Sequence, residues 1–250
     1  MSLPKIIHYC WLGGKPLPPL AEKCLASWKK YCPDYEIILW NEDNYDFTKH
    51  PYMKQAFEEK KWGFVPDYAR LDIIYQHGGI YLDTDVELVK NLDPLLEYDF
   101  YAGFESEKFV NLGLGFGAVS RHPVLKAMME DYDNYSFIKD DGSLNLMPSP
   151  AIQTRFLQSF YDLKTNCNSI QTLRNAVTVL PSEFLAPKDY ISKKLTVTSN
   201  TFSIHHYDGS WVPVRMKIFS YLRYKSQRFL GNKITNFLVK CKRLIWKPYK

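Results

Sequence analysis

The stretch PDYARLDIIYQHGGIYLDTDVEL, residues 66–88, constrains the fold of this 250-residue chain more than any other segment. Pro66 opens it, and apolar side chains then recur at spacings of three and four, which predicts an α-helix that ends at Gly78. Residues 80–82, an apolar triplet, predict a buried strand directly after the glycine pair. A helix that leads into a buried strand is typical of α/β proteins.

Segments on the N-terminal side of this stretch show the same alternation. KIIHYCW, residues 5–11, predicts a first strand, and the apolar stripe from Pro19 to about Tyr31 predicts a helix. YEIILW, residues 35–40, predicts a second strand, and residues 118–165 are predicted to be partly helical. This order predicts an α/β fold with a mostly parallel central sheet, in which ligands bind beyond the carboxyl ends of the strands.

The composition narrows the class of protein. Hydrophobic residues make up 46% of the chain, enough for one sizeable core, and no apolar run approaches the roughly 20 residues that span a bilayer. The N-terminus lacks the apolar segment and the cleavage site of a signal peptide. The five cysteines are an odd number without a C-x-x-C pair, which favours reduced, mostly buried thiols. We therefore predict a cytoplasmic location, and we predict no nucleic-acid partner.

Charge is distributed unevenly along the chain. Residues 213–250 contain eleven Lys and Arg and no Asp or Glu, whereas residues 1–212 contain 21 basic and 27 acidic residues. We therefore divide the chain into a folded domain, 1–212, and a basic C-terminal extension, 213–250. Apolar residues three and four apart predict one or two amphipathic helices in the extension. These helices either lie on an anionic membrane, at the inner face of the cell membrane, or pack on the domain.

Asp83 and Asp85 follow the predicted strand. Residues two apart in a strand point the same way, so both carboxylates are expected at one spot if strand geometry continues that far. Two such carboxylates repel unless a cation lies between them, and oxygen ligands suit Mn²⁺ or Mg²⁺. Such an ion would hold a diphosphate and neutralise the charge that develops as it leaves. The alternative is a polar turn after the strand.

Three segments together carry a resemblance to a known family. They are PKIIHYCWLGGKPLP at 4–18, FVPDYARLDIIYQHGGIYLDTDVEL at 64–88 and SIHHYDGSW at 203–211. Over about residues 4–211 the chain resembles the DXD-motif glycosyltransferases (glycosyltransferase family 32). That family includes bacterial capsular-polysaccharide and lipopolysaccharide sugar transferases and is related to the catalytic domain of the large clostridial glucosylating toxins. The resemblance implies a GT-A type, Rossmann-like domain that binds a nucleotide sugar.

The resemblance also implies roles for individual residues. Trp11 matches a tryptophan that stacks on the nucleobase of the donor, although a tryptophan at a strand end also suits a core. Asn41 matches a nucleotide-contacting asparagine, although an ordinary turn residue fits as well. Asp67 and Arg70 match residues that hold the sugar and phosphate of the donor. Because they are spaced three apart on a helix, they also suit a surface ion pair.

For the D-x-D, the resemblance implies that Asp85 is the direct metal ligand and that Asp83 contacts the ribose and the sugar. With Asp67 and Arg70, these two aspartates form the predicted catalytic group.

The C-terminal motif HHYDGSW departs from the toxin pattern, in which an acidic residue, a serine and a tryptophan close the metal site. Here His205 and His206 replace the acidic residue, and Ser210 and Trp211 follow as predicted donor contacts. Adjacent residues of a strand face opposite sides, so only one histidine is expected to reach the metal, and we favour His206. An imidazole ligand favours Mn²⁺ over Mg²⁺. The alternative is one buried and one solvated histidine.

NLGLGFGAV, residues 111–119, lacks the G-x-G-x-x-G spacing of a dinucleotide-binding loop. Its alternate glycines predict a strand with one bare face, which either lets the backbone approach a sugar closely or packs tightly. Asn111 is predicted to contact a sugar of the donor or the acceptor there.

The resemblance implies a metal-dependent, retaining glycosyltransferase. It would move a hexose from a nucleotide sugar, with UDP-sugars favoured, to a glycan or lipid-linked acceptor of capsule or lipopolysaccharide biosynthesis. Mn²⁺, or else Mg²⁺, is the predicted cofactor. One alternative is a phosphatase of the haloacid dehalogenase type, because YLDTDVEL also fits the first motif of those enzymes. No G-D-x-x-x-D follows it, however. The other is a sugar-binding module without catalysis, which would keep Trp11 and Trp211 but would not need both aspartates.

Overall fold

Strands and helices alternate through the first third of the chain, as predicted. The computed structural model describes residues 2–167, 169–190 and 192–209. Its strands are β1 Ile6–Cys10, β2 Glu36–Trp40, β3 Gly79–Tyr81, β4 Val86–Leu88, β5 Phe100–Ser106, β6 Phe109–Asn111, β7 Phe116–Ala118, β8 Gln171–Leu173, β9 Val177–Leu180 and β10 Ser203–His205. Its helices are α1 Pro19–Tyr31, α2 Pro51–Glu58, α3 Val65–His77, α4 Pro123–Asp131, α5 Ser149–Tyr161 and α6 Ser182–Leu185. The predicted elements β1, α1, β2, α3 and β3 are all present, whereas α2 was not predicted.

Seven strands of the described chain form the path of the main sheet, in the order β2-β1-β3-β7-β5-β9-β8, and β6 pairs with β5. β1 is parallel to β2 and β3, and β5 is parallel to β9, while β7 and β8 are antiparallel to their neighbours. It follows that β2, β1, β3, β5 and β9 run in one direction. The predicted α/β class and the mostly parallel central sheet are confirmed. A second sheet pairs β10 antiparallel with β4.

The glycine pair between α3 and β3 is required by geometry. Gly78 (φ 69°) ends α3, and Gly79 (φ 98°) begins β3, both in backbone conformations that favour glycine. A Cβ atom on Gly79 would lie 2.8 Å from the Ile6 carbonyl oxygen, so a larger residue would push β3 away from β1. His8 Nδ1 accepts from Trp40 Nε1 (3.1 Å), so its Nε2–H donates to the Gly78 carbonyl oxygen (2.9 Å). Burial lowers the pKa of His8 to about 4, which keeps this imidazole neutral.

Apolar residues pack on both faces of the sheet. Ile7 and Ile80 belong to one buried cluster, together with Trp28 of α1. Tyr81 belongs to the other, together with Ile74 of α3. The four described cysteines form no disulfide, and three of them are buried, as predicted. Because the sheet is supported on both faces, the carboxyl ends of β1, β3 and β5 are held at the same edge, with β7 between β3 and β5.

Predictions for the C-terminal residues fall outside the described part of the chain. They concern Ser210, Trp211 and the extension 213–250, so the domain boundary at residue 212 stays a prediction. The described residues of Met1–Asp189 and Lys194–Asp208 form one compact unit. Among the described residues, no helix combines the length and the apolar character that crossing a bilayer requires.

Candidate active site

The D-x-D lies in a turn rather than in an extension of β3. β3 ends at Tyr81, and the Val86 N–H donates to the Asp83 carbonyl oxygen (3.0 Å), which closes the turn. The expectation that strand geometry continues through Asp85 is therefore wrong. The two carboxylates still come together, because β4 begins directly after the turn and its pairing with β10 brings a third side chain to them.

Asp83, Asp85 and His205 form a group suited to a divalent cation. One ligand atom from each lies within 4.8 Å of the others. His205 Nε2 lies 3.0 Å from Asp85 Oδ1, and the buried His205 Nδ1 has no hydrogen-bond partner among the described residues. Two carboxylate oxygens and an imidazole nitrogen are a donor set that suits Mn²⁺. The residues present therefore fit the metal ion that the sequence predicts.

His205 approaches the D-x-D, which corrects the prediction that favoured His206. The His205 side chain turns to Asp85. His206 faces away from the D-x-D: its Nε2 lies 2.7 Å from Glu87 Oε2, an atom that also lies 2.7 Å from Lys23 Nζ. Only one of the two histidines reaches the carboxylates, as expected, and the pairing of β10 with β4 determines which one it is.

The charged groups of this site shift one another's pKa values. Burial raises the pKa of Asp83, and Asp85 adds to the increase, while Arg70 opposes it. Burial acts on Asp85 too, but the charge and hydrogen bond of His205 and the Asp208 N–H (2.9 Å) outweigh it and lower the pKa of Asp85 to about 2. Burial lowers the pKa of His205, but Asp85 more than offsets this and raises it above the ordinary value. Asp85 is therefore ionised at neutral pH.

Asp67 and Arg70 form a buried ion pair, so the alternative of a surface pair is wrong. Each residue is only 3% exposed, and Arg70 Nη2 lies 3.0 Å from Asp67 Oδ1. Arg70 Nε donates to the Pro66 carbonyl oxygen (2.9 Å), and Nη2 lies 3.6 Å from Asp83 Oδ1. Burial raises the pKa of Asp67 to about 6, although the Arg70 charge opposes the shift. The guanidinium of Arg70 thus lies close to two carboxylates, Asp67 and Asp83, and connects α3 with the D-x-D.

Asn111 lies beside the D-x-D and caps a short 3₁₀ turn, Leu112–Leu114. Its Oδ1 accepts from the Gly113 N–H (2.7 Å), and its Nδ2 donates to Glu105 Oε2 (2.9 Å). A Cβ atom on Gly113 would overlap Asp83 Oδ2, so this glycine makes room for the aspartate. The prediction of one strand through the glycines is wrong, because the 3₁₀ turn separates β6 from β7.

Trp11 and Asn41 directly follow β1 and β2, at the edge of the sheet where the D-x-D lies. Trp11 is half-buried against apolar residues, and its Nε1–H donates to the Lys15 carbonyl oxygen (2.5 Å). Asn41 braces its own turn: its Oδ1 accepts from the Asp43 N–H (3.0 Å), and its N–H donates to Asn44 Oδ1 (2.9 Å). Contacts of these two side chains with a donor stay predictions.

Glu105, whose carboxylate binds Asn111, is a residue of this edge that sequence reasoning missed. It is the penultimate residue of β5, a strand that runs in the same direction as β3. The available signal was an acidic residue at the end of an apolar run, six positions before Asn111. Only the strand order shows that this end lies near the D-x-D.

Comparisons with known proteins agree with this geometry. Residues 18–101, which include the D-x-D, match the family described as the glycosyltransferase sugar-binding region containing DXD motif. Inositol phosphoceramide mannosyltransferase 3 of Schizosaccharomyces pombe is 29% identical over 144 residues, which cover 54% of this chain and 39% of that protein. Mannosyl phosphorylinositol ceramide synthase SUR1 of Saccharomyces cerevisiae is 34% identical over 152 residues, which cover 54% of this chain and 37% of that protein.

The chain spans just under two fifths of the length of these two yeast relatives. Among solved structures, the PaToxG glycosyltransferase aligns with a TM-score of 0.49 at 19% identity, over 64% of this chain and 70% of that one. Residues 18–101 of this chain are therefore similar to the sugar-binding region, containing a DXD motif, of that glycosyltransferase family.

Proposed function

We propose that this chain is a metal-dependent glycosyltransferase that moves a hexose from a nucleotide sugar to a hydroxyl group of a glycan or lipid-linked acceptor. The observation that carries the proposal is the group of Asp83, Asp85 and His205, whose ligand atoms lie within 4.8 Å of one another. The family match argues against the phosphatase alternative. The complete D-x-D, braced by the buried Arg70, argues against a binding module that has lost catalysis.

The three residues of this group would hold the divalent cation, which when bound supplies positive charge to the diphosphate that leaves the sugar. Asp85 offers a carboxylate that is ionised at neutral pH, because His205 and the Asp208 N–H lower its pKa. Arg70 holds Asp83 in place through their 3.6 Å contact. Mn²⁺ is the ion we propose, because an imidazole joins the two carboxylates.

We also propose that transfer retains the anomeric configuration, as the resemblance implies. A front-side path through an oxocarbenium-like transition state needs no general base. Two carboxylates of the site already have side-chain partners, Asp67 the guanidinium of Arg70 and Asp85 the imidazole of His205. Proton NMR of the fresh product reads the anomer directly, and an inverted product would contradict this proposal.

The names of the two yeast relatives support a hexose donor and a lipid acceptor. One is called a mannosyltransferase of inositol phosphoceramide and the other a mannosyl phosphorylinositol ceramide synthase. GDP-mannose is therefore tested beside the UDP-sugars that we favour. An acceptor of capsule or lipopolysaccharide biosynthesis, the cytoplasmic location and peripheral contact with an anionic membrane stay part of the proposal.

Thermal unfolding with candidate donors tests the proposed function. Purified protein is mixed with UDP-galactose, UDP-glucose, UDP-N-acetylglucosamine or GDP-mannose, each with and without Mn²⁺. We expect one donor to stabilise the protein only when Mn²⁺ is present, by about 2.7 kcal/mol at a donor concentration of 100 Kd. The protein should also hydrolyse the same donor slowly, which releases the nucleotide. The proposal fails if no donor stabilises the protein and none is hydrolysed, and phosphate release from p-nitrophenyl phosphate would instead favour the phosphatase.

A further inference from the structure

Glu105 lies at the edge of the sheet that carries the candidate metal group. β5 runs in the same direction as β3, so the carboxyl ends of both strands meet at this edge. Glu105 is the penultimate residue of β5, and Asp83 follows the end of β3 by two residues. The side chain of Glu105 is half-buried, which separates it from the fully solvated acidic residues of the surface.

A continuous series of hydrogen bonds joins Glu105 to the D-x-D. Glu105 Oε2 accepts from Asn111 Nδ2 (2.9 Å), and Asn111 Oδ1 accepts from the Gly113 N–H (2.7 Å). The Gly113 carbonyl oxygen in turn accepts from the Asp83 N–H (3.3 Å). The orientation of the Glu105 carboxylate is therefore set relative to Asp83.

Among the described residues, the hydrogen bond from Asn111 to Oε2 is the one side-chain bond found for the Glu105 carboxylate, and Oε1 accepts none. Burial raises the pKa of Glu105, while the Asn111 bond and the charge of His205 lower it. A carboxylate oxygen without a protein donor, in a partly desolvated place, is a strong acceptor for an incoming hydroxyl group.

We propose that Glu105 recognises a hydroxyl group of the transferred sugar, with Asn111 holding the carboxylate in place. The inference rests on the proposed function. Asp83 and Asp85 would hold a cation that offers positive charge to the diphosphate of the donor, and the sugar is the group attached to that diphosphate. Glu105 is linked to Asp83 through two residues only, so the sugar is the part of the donor that lies within its reach.

The test compares Glu105→Gln with Glu107→Gln, a matched control on the same hairpin. The Glu107 side chain is exposed, and the Glu107 backbone carbonyl oxygen accepts a hydrogen bond from the Asn166 N–H. Donor hydrolysis is measured with Mn²⁺ and the nucleotide sugar that wild type hydrolyses fastest. Because a hydrogen bond to a charged acceptor is lost, Glu105→Gln should lower kcat/KM by roughly 10-fold to 100-fold. Glu107→Gln should stay within about 2-fold of wild type, as is usual for an exposed site.

Donor analogues that each lack one sugar hydroxyl identify the partner. For wild type, kcat/KM with one of these analogues should be lower than with the complete donor by about the factor that Glu105→Gln causes. For Glu105→Gln, kcat/KM with that analogue should be little lower than with the complete donor, because the two changes remove one interaction. Three results would overturn this inference and leave the proposed function standing. They are equal rates for the two glutamine variants, additive losses from the variant and the analogue, and lost transfer with normal donor hydrolysis. If wild type hydrolyses no donor, both the proposed function and this inference fail. The analogue series on wild type decides the matter even if Glu105→Gln does not fold, since an unselective series also overturns the inference.

Discussion

The Asp83 side and the Asp85 side of the site are built from different parts of the chain. On the Asp83 side, Asp67 and Arg70 come from α3, the helix that directly precedes β3. On the Asp85 side, the partners are His205 and the N–H of Asp208, about 120 residues further along the chain. The first side is a local unit, whereas the second depends on the pairing of β10 with β4.

The two sides also place their aspartates in opposite electrostatic environments. Asp83 shares one buried guanidinium with Asp67, and its pKa is raised by burial. Asp85 has an imidazole and a backbone donor of its own, and its pKa is lowered to about 2. Two carboxylates with one residue between them thus have pKa values that shift in opposite directions. In the proposed site, Asp85 is the carboxylate that is ionised at neutral pH without a cation.

Removing Asp85 should have the largest effect on activity of any change at the site. Because this carboxylate is ionised and bonded to His205, Asp85→Asn should lower the rate of donor hydrolysis by roughly 100-fold to 1000-fold, the range for loss of one electrostatic stabiliser. The variant should fold, since the turn is closed by backbone groups. Kinetics with saturating Mn²⁺ measure the loss, and Asp140→Asn, at an exposed position, is the matched control. Near-normal rates in folded Asp85→Asn would remove Asp85 from the site.

Removing Arg70 should weaken the fold itself. Arg70→Met leaves Asp67 buried without its counter-charge, so we expect a loss of about 3–5 kcal/mol in the free energy of unfolding. Lys126→Met, which breaks the exposed pair with Glu130, should cost about 0.5 kcal/mol or less. Urea unfolding compares the two variants. Equal losses would mean that the Asp83 side contributes no more than a surface ion pair.

The buried Asp67 predicts a pH dependence of stability. Its pKa is about 6 in the folded protein and about 4 in an unfolded chain, so between these values the folded state holds a proton that the unfolded state has released. This group therefore makes stability fall as pH rises from about 4 to about 6, by roughly 2–3 kcal/mol. Urea unfolding across this range should show a smaller decline for Asp67→Asn than for wild type. Identical pH profiles would contradict the raised pKa, and Asp140→Asn again serves as the exposed control.

Substitution of Trp11 should give the smallest effect on activity, and this effect should be on donor binding alone. If the indole stacks on the nucleobase, Trp11→Ala should raise the donor KM by roughly 10-fold, and Trp11→Phe should recover most of it. Unfolding of Trp11→Ala would favour the core alternative, because Trp11 also packs against buried residues. An unchanged KM in a folded variant would exclude stacking.

Local signals in the sequence were sufficient for the Asp83 side. The periodicity of α3 and its capping glycine act within a few residues of each other, and both were predicted correctly. The strand after them was also predicted, although β3 ends at Tyr81, one residue before the end of the apolar triplet. The bounds of α1, Pro19–Tyr31, were also predicted, because proline and apolar spacing mark them locally. The burial of Asp67 and Arg70 was not predicted, because the spacing of two charges on a helix is the same on an exposed and on a covered face.

The Asp85 side needed information that adjacent residues do not carry. His205 and His206 are chemically identical, and the register of β10 against β4 alone decides which of them meets Asp85. The same holds for Glu105, whose relation to the D-x-D follows from the order of strands in the sheet. At Gly113, the contact that excludes a side chain is Asp83, 30 positions away. Such contacts are set by tertiary packing rather than by local spacing.

Mn²⁺ titration of matched histidine variants tests whether His205 completes the proposed metal site with Asp83 and Asp85. Free Mn²⁺ is followed by electron paramagnetic resonance in wild type, His205→Asn and His206→Asn. We predict one Mn²⁺ site in wild type, nearly the same affinity in His206→Asn, and an affinity at least 10-fold weaker in His205→Asn. Equal affinities in all three proteins, or a loss confined to His206→Asn, would exclude His205 as a ligand of the metal.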